Sequence, residues 1–548
     1  MITPLIYILA LSVVLWGRVK RRTTFSTLDN VPGPKPKSWW KGSFDDVFNA
    51  RAWDFHWDIA KKYGSVIKIP TFMGDNWLYI FDPKALHHVL VKEQYVFEET
   101  SSFVEGNKLL FGPGLVATLG EQHRKQRKML NPVFSMAYMR DIAPTFYAIA
   151  YKLRNSLARK VNDGPQEIDV LHWMGRTALE LIGQSGLGVS FDSLEEDSNP
   201  HKFAMAAKSL MPAIFKFTFV RNYFLSTMLK IGPPKFRRFI VDLIPSSWTA
   251  SHDLKNIIDV MHSTSIELYE TKKKAFATGD YSEMERAGAG KDIISILMKA
   301  NMEAGKDDAL TEEEVIGQMS TLIFAATDTT SSALSRVLQL LSQHKDIQEK
   351  LRRELMEATE DGDLNHDQLV SLPYLDAVCR ETLRLYPPVS VLVRTSRRDA
   401  VIPLSKPIKG LDGQMIHEIP VPNNTNIIIG IMAANRNPEL WGEDADEWKP
   451  ERWLSPLPEA LSEAHLPGVY SNLMTFLGGG RACIGFKFAQ LEMKVLLMVL
   501  VKSFRFHPSK EIRWQMFNIA MPTVAEEDAS SIMGRLPLII ERIDAVSS

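Results

Sequence analysis

Helix-period runs of apolar and polar residues dominate the chain. Thr311-Glu312-Glu313-Glu314 has the form of a capping box, with Thr311 as the cap and Glu314 three residues on. The apolar-rich run behind it reaches Leu341, which predicts a helix of about thirty residues, far above the usual three turns. Pro373 suits the first turn of a second helix, and Pro387-Pro388 ends it. A third helix is expected over Phe486–Val501. Short apolar runs at Val66–Ile69, Trp77–Phe81, Val389–Val393 and Asn426–Ile431 predict strands. Ala275–Lys291 is polar and contains glycine, so it reads as an exposed loop between helices. The expected fold class is mainly α with a minor β part.

The N-terminus departs from this pattern. Met1–Trp16 is almost wholly apolar and is followed by Arg18, Lys20, Arg21 and Arg22. As a helix it spans roughly 24 Å, a little short of the ~30 Å hydrocarbon core. Thinner membranes and snorkelling basic side chains absorb that difference. A cleaved signal peptide is the rival reading, but the run has no positive n-region and its charge lies on the far side. Basic residues stay on the cytosolic side. The expectation is a single N-terminal transmembrane helix over residues 1–17, with the rest of the chain facing the cytosol. Val31-Pro32-Gly33-Pro34-Lys35-Pro36 cannot continue a helix, so residues 18–43 read as a basic, Pro-rich hinge. With no second linker, repeat or low-complexity tract, residues 44–548 read as one domain.

Composition removes several classes of function. The chain has 548 residues, 45% of them hydrophobic, enough to bury a substantial core. Its formal net charge of −1 argues against a nucleic-acid binder, which needs a basic excess. Two cysteines, Cys379 and Cys483, are too few for a disulfide framework or a cysteine-built zinc site. Cys379 lies on an apolar helical face and reads as core. The sequence contains no Walker loop, G-x-S-x-G elbow, H-E-x-x-H or dinucleotide fingerprint. Any special sulfur chemistry therefore belongs to Cys483.

That cysteine stands in Phe476-Leu477-Gly478-Gly479-Gly480-Arg481-Ala482-Cys483-Ile484-Gly485. Three glycines let backbone come close to something flat, because no Cβ intervenes. Free N–H groups, Arg481 and the N-terminal dipole of the helix after Gly485 all favour a thiolate, the form that binds metal. The bland alternative is a free cysteine beside an ordinary glycine turn.

The full pattern resembles the haem-binding loop of the cytochrome P450 family. The resemblance implies the P450 fold, haem b with Cys483 as axial thiolate and iron ligand, Phe476 packed beside it, and Arg481 on a haem propionate. Gly479 and Gly485 complete the loop. Glu381 and Arg384, three apart on the proline-bounded helix, resemble the family's Glu-x-x-Arg pair, and Pro450-Glu451-Arg452-Trp453 is similar to its Pro-Glu-Arg-Phe segment. By themselves they are an exposed ion pair of little consequence; by resemblance, Glu381, Arg384 and Arg452 form a buried structural network behind the haem.

The long helix contains Ala325-Ala326-Thr327-Asp328-Thr329-Thr330, an odd run for a helix middle because Asp and Thr compete for backbone hydrogen bonds. Either it is a helix bend with Thr bonded back to a carbonyl, or, as in the family, an oxygen groove in which Asp328 and Thr329 relay protons. Ala326 stands where the family more often has glycine. His123-Arg124-Lys125-Gln126-Arg127-Lys128 resembles the family's Trp-x-x-x-Arg, with Arg127 as a propionate ligand and His123 in place of tryptophan; a solvated basic face is the alternative. Arg394 resembles a further propionate ligand. Family position suggests pocket walls from Leu115, Val116, Leu322, Ile323, Val389, Val391 and Met521, hence a lipophilic substrate.

The implied activity is monooxygenation, with O2 as co-substrate. Electrons would come from NADPH through a membrane-bound P450 reductase, with cytochrome b5 as a further partner, at the endoplasmic reticulum. Lys125, Lys128 and Lys487 are docking charges for an acidic partner. An oxygen-independent haem-thiolate isomerase or dehydratase, and a haem-binding protein without turnover, are the competing readings.

Overall fold

Four helices position the residues of interest: α1 (Gly120–Leu130), α2 (Glu312–Gln343), α3 (Pro373–Leu385) and α4 (Phe486–Ser503). A computed structural model describes residues 26–38, 40–195, 202–245, 249–278, 290–305, 307–526 and 534–543. The capping box at the head of α2 is closed in both directions. Glu314 N–H donates to Thr311 Oγ1 at 3.3 Å, and Thr311 N–H donates to Glu314 Oε2 at 2.8 Å. With its ends fixed and nearly every turn buried, α2 runs for 32 residues. Pro373 occupies the first turn of α3, where the missing N–H costs nothing, and the helix stops two residues before Pro387.

The chain divides into two compact units. One takes in the described residues up to Thr100 together with Ser390–Ala445 and Pro458–Ala482; the other takes in Ser101–Val389, Asp446–Leu457 and the chain from Cys483 onward. The first is built on β1 (Val66–Pro70), β2 (Asn76–Ile80), β3 (Phe97–Glu99), β4 (Val391–Ser396), β5 (Ala400–Lys409), β6 (Met415–Val421) and β7 (Asn426–Gly430). Five of these form a sheet in the order β1-β2-β7-β4-β3, in which only β2 and β7 run parallel. Ile427, Ile428 and Ile429 are fully buried, as a strand covered on both faces requires. The described part of the Pro-rich hinge lies against this sheet. Leu28 and Val31 are buried, and Lys68 N–H donates to Pro32 O at 2.8 Å. A Cβ on Gly33 would stand 1.9 Å from Lys68 O, so the glycine is required there.

The second unit is mostly helical around α2, with a small sheet of Gln166–Asp169, Pro537–Arg542 and Phe504–Pro508 and a hairpin of Ile512–Met516 and Ala520–Val524. Cys379 is buried on α3, and burial pushes its thiol up to about 12.

Several boundaries differ from the sequence expectation. The strand expected from Val389 begins at Val391, because Pro387-Pro388 leads in without ladder donors. The strand over Asn426 ends at Gly430, where a helical turn, Ile431–Asn435, takes over. The loop expected from Ala275 is helical through Thr278, since the helix Thr249–Thr278 continues into it; residues 279–289 lie outside the described residues. The anchor expected over residues 1–17 and the basic start of the hinge also lie outside them. Among the described residues no helix is long and apolar enough to cross a membrane.

Candidate functional site

Cys483 sits just before α4, and Gly485 caps that helix, its carbonyl accepting Ala489 N–H at 2.9 Å. The cysteine is accessible at contact distance although protein surrounds it at longer range, the setting of a group facing an enclosed space. Desolvation therefore raises its thiol pKa; the Gly485 N–H and the Arg127 guanidinium pull it back down. The cation acting on the sulfur is thus Arg127, whereas the sequence pointed to Arg481. Arg127 is half-buried on α1, and its own pKa is lowered by desolvation and supported by Cys483. His123 is buried one turn earlier on the same helix.

Two glycines of the loop are required by the fold itself. A Cβ on Gly478 would stand 1.4 Å from Pro467 O, and one on Gly479 1.9 Å from Leu90 O. Gly479 also has φ +71°. Their missing side chains make room for neighbouring backbone of the same unit. Phe476 is buried and packs edge-on against Tyr470, ring centroids 5.8 Å apart.

α1 is pinned to the head of α2 by contacts that motif reading missed. Gln122 and Gln126 side-chain amides donate to the Glu314 carboxylate at 3.0 and 2.9 Å, and Leu115 N–H donates to Gln318 Oε1 at 2.9 Å. Gly114 and Gly317 approach so closely that a Cβ on either would collide with the other's backbone. Polar residues spaced four apart on α1 were the available signal.

α2 is buried from Val315 to Ile323 and again from Thr330, but in between Ala325 is exposed and Ala326, Asp328 and Thr329 are half-exposed. Water access at the centre of a core helix marks a surface facing open space. Thr329 Oγ1 donates to Ala325 O at 2.8 Å and Thr327 Oγ1 to Ile323 O at 2.7 Å. The back-bonding of the bland reading is therefore present, and the opening is present with it.

Glu381 and Arg384 are both fully buried. Arg384 Nε and Nη2 donate to the two carboxylate oxygens at 2.8 and 2.7 Å, a bidentate pair. Arg452 Nε stands 3.3 Å from Glu381 Oε1, Trp453 Nε1 donates at 2.9 Å and Lys449 N–H at 3.1 Å. Arg384 also donates to Glu447 O at 3.1 Å. In the first unit, Arg394 and Arg481 both approach the buried carboxylate of Glu99, at 3.3 and 3.1 Å. Sequence reading did not single out Glu99.

Of the expected pocket walls in the second unit, Leu115 and Leu322 are nearly buried, Val116, Val389 and Met521 are half-buried, and Ile323 is fully enclosed. Ala520 N–H donates to Pro388 O at 2.7 Å, which holds the turn before Met521 beside the segment leading to Val389. Val391, in the first unit, is half-buried.

A family model of cytochrome P450 matches residues 32–525. The chain belongs to the cytochrome P450 family. Cytochrome P450 monooxygenase 91 of Postia placenta is 52% identical over 94% of each chain. Cytochrome P450 monooxygenase 81 of the same fungus is 49% identical over 96% of this chain and 95% of its own. Ganoderic acid synthetase of Ganoderma lucidum is 44% identical over 95% of this chain and 96% of its own. This P450 is accordingly an oxidoreductase of the monooxygenase type, and its family implies haem. The residues fit that cofactor. Among the described residues no three His, Cys, Asp or Glu side chains gather as a metal site. An iron at the accessible Cys483 sulfur thus needs its other ligands from a non-protein group, which a porphyrin supplies.

Proposed function

We propose that this P450 inserts one oxygen atom from O2 into a lipophilic small molecule. The observation that carries this reading is an accessible, amide-supported cysteine sulfur at the head of α4 in a chain of this family. Cys483 would ligate the haem iron, Arg127, Arg394 and Arg481 would hold its carboxylates, and Phe476, His123, Gly479 and Gly485 would shape the surroundings. When bound, haem supplies oxygen activation, and a thiolate ligand favours O–O cleavage.

The chain's own residues orient and protonate. Asp328 and Thr329 lie in the open stretch of α2, where a carboxyl and a hydroxyl would hold and pass a proton. Thr329 keeps its hydroxyl aligned by donating to Ala325 O, leaving its lone pairs free to accept. Glu381, Arg384 and Arg452 are structural. Leu115, Leu322, Val389, Val391 and Met521 would present an apolar wall, which sorts substrates weakly, by ~1–3 kcal/mol per methylene.

Electrons would arrive from NADPH through a P450 reductase, with cytochrome b5 as a second donor, and Met1–Trp16 would hold the enzyme in the endoplasmic reticulum membrane facing the cytosol. The test is to incubate microsomes holding the enzyme and reductase with a lipophilic metabolite library, ganoderic acid precursors included. Compounds that gain the mass of one oxygen atom only with NADPH and O2 support the reading. NADPH-independent conversion without oxygen uptake would replace it with isomerase chemistry.

A further inference from the structure

Glu99 is the last residue of β3, paired in register with Arg394 on β4. Its backbone is held by Arg397, whose guanidinium donates to Glu99 O. Its side chain is 8% exposed and lies between two guanidiniums: Arg394 Nη2 is 3.3 Å from Oε1, and Arg481 Nε is 3.1 Å from Oε2. Arg394 is itself 4% exposed. Two cations so close together repel; Arg481 is 15% exposed, whereas Arg394, which is buried, is not tolerable in the core without a counter-ion. Glu99 supplies one. The match is incomplete: Oε2 lies within ion-pair distance of Arg481 but has no hydrogen-bond partner among the described residues. One carboxylate serves two guanidiniums, and one of its oxygens is held by charge rather than by an aligned N–H.

We propose that Glu99 is an internal carboxylate that occupies the anion site of Arg394 and Arg481 while haem is absent and competes with the carboxylates of haem when it binds. The inference rests on the reading that these two arginines hold the haem carboxylates. Haem brings two carboxylates, and even with Arg127 to take up part of that charge they meet Glu99 already at Arg394 and Arg481, so the carboxylates compete for the same guanidinium N–H groups. Glu99 therefore stabilises the first unit before haem arrives and weakens retention of haem afterwards. It is a positioning residue for the cofactor, and its own negative charge beside the haem carboxylates disfavours adding an electron to the iron. A purely structural ion pair acts in one direction only, because its loss loosens both forms.

The experiment follows haem transfer from the loaded full-length protein to excess apomyoglobin, alongside thermal unfolding of the haem-free protein and the haem reduction potential. Glu99→Gln keeps the side-chain shape and removes the charge. It is expected to slow haem loss by roughly tenfold, destabilise the haem-free protein and move the potential to more positive values. Glu99→Asp, which keeps the charge, should stay near wild type in all three. Arg394→Gln and Arg481→Gln should speed haem loss. If those two speed it while Glu99→Gln loses haem at the wild-type rate or faster, competition is refuted and Glu99 is only structural. If neither arginine variant changes haem loss, the arginine assignment itself falls and the inference with it.

Discussion

Removal of the Glu381 carboxylate should cost this P450 far more stability than loss of any exposed ion pair. Glu381 is fully buried and receives two N–H donors from Arg384, one from Trp453 and one from the Lys449 backbone, with Arg452 at 3.3 Å. Glu381→Ala leaves Arg384 charged and enclosed, with the Glu447 carbonyl as a remaining acceptor at 3.1 Å. Stranding one partner of a buried pair costs about 3–5 kcal/mol, and each buried donor left without an acceptor about 1–3 kcal/mol. These losses share one site and do not add in full. Even the lower bound for the stranded pair alone, about 3 kcal/mol, is a substantial part of the ~5–15 kcal/mol that holds a domain folded. Glu381→Gln should cost about 3 kcal/mol, because the amide keeps one acceptor oxygen but turns N–H groups towards N–H donors. The double variant Glu381→Gln with Arg384→Met should recover part of the loss, since it removes the stranded charge. The assay is urea unfolding of the four proteins at equal haem saturation, followed by tryptophan fluorescence. If Glu381→Ala stays within about 1 kcal/mol of wild type, the network is not the structural keystone that its burial implies.

Other consequences are open to direct test. Thr329→Ala removes the hydroxyl aligned by Ala325 O, and positioned proton transfer is typically worth 10²–10⁴-fold, so product per NADPH should fall and peroxide should rise with substrate binding unchanged; fully coupled turnover would end the relay assignment. Gly479→Ala places a Cβ 1.9 Å from Leu90 O at φ +71°, so the cysteine loop should shift and haem incorporation should fall sharply, measured by absorbance of the purified protein. His56 is fully buried, and desolvation lowers its pKa to about 4 although Nε2 bonds Val47 O at 3.0 Å. The folded form thus binds fewer protons than the unfolded one: its contribution is whole above pH ~6.5 and is lost as pH falls towards 4, by up to ~1.4 kcal/mol per pH unit. Unfolding free energies of His56→Asn should lack that slope relative to wild type between those pH values.

The parts of this P450 that sequence made legible share a physical trait: they are encoded by neighbours along the chain. The capping box at Thr311, the proline at the start of α3 and the i, i+3 spacing of Glu381 and Arg384 are local, and the structure builds each where the spacing puts it. Motif resemblance carried the reading to Arg452, because the segment that holds it has its own pattern. What stayed hidden depends on contacts between distant segments. Nothing around Glu99 announces that β3 will pair with β4, yet that register brings its carboxylate to Arg394, 295 positions later by number, and then to Arg481. The glycines before Cys483 were read as an approach to a flat ligand, but the atoms that would meet their Cβ positions belong to Leu90, Gln94 and Pro467. A glycine announces that something comes close, and only the fold says what. The same limit explains the sulfur's environment. Arg481, two residues from Cys483, is engaged by Glu99, while Arg127, more than three hundred residues upstream, is the cation that pulls the thiol pKa down against the upward push of burial. Proximity along the chain is a poor guide to electrostatics, because Coulomb energy depends on distance through space and on burial. Charge assignments at a site therefore have to be made after the fold is known, whereas a candidate ligand can be named beforehand from a local pattern such as the one around Cys483.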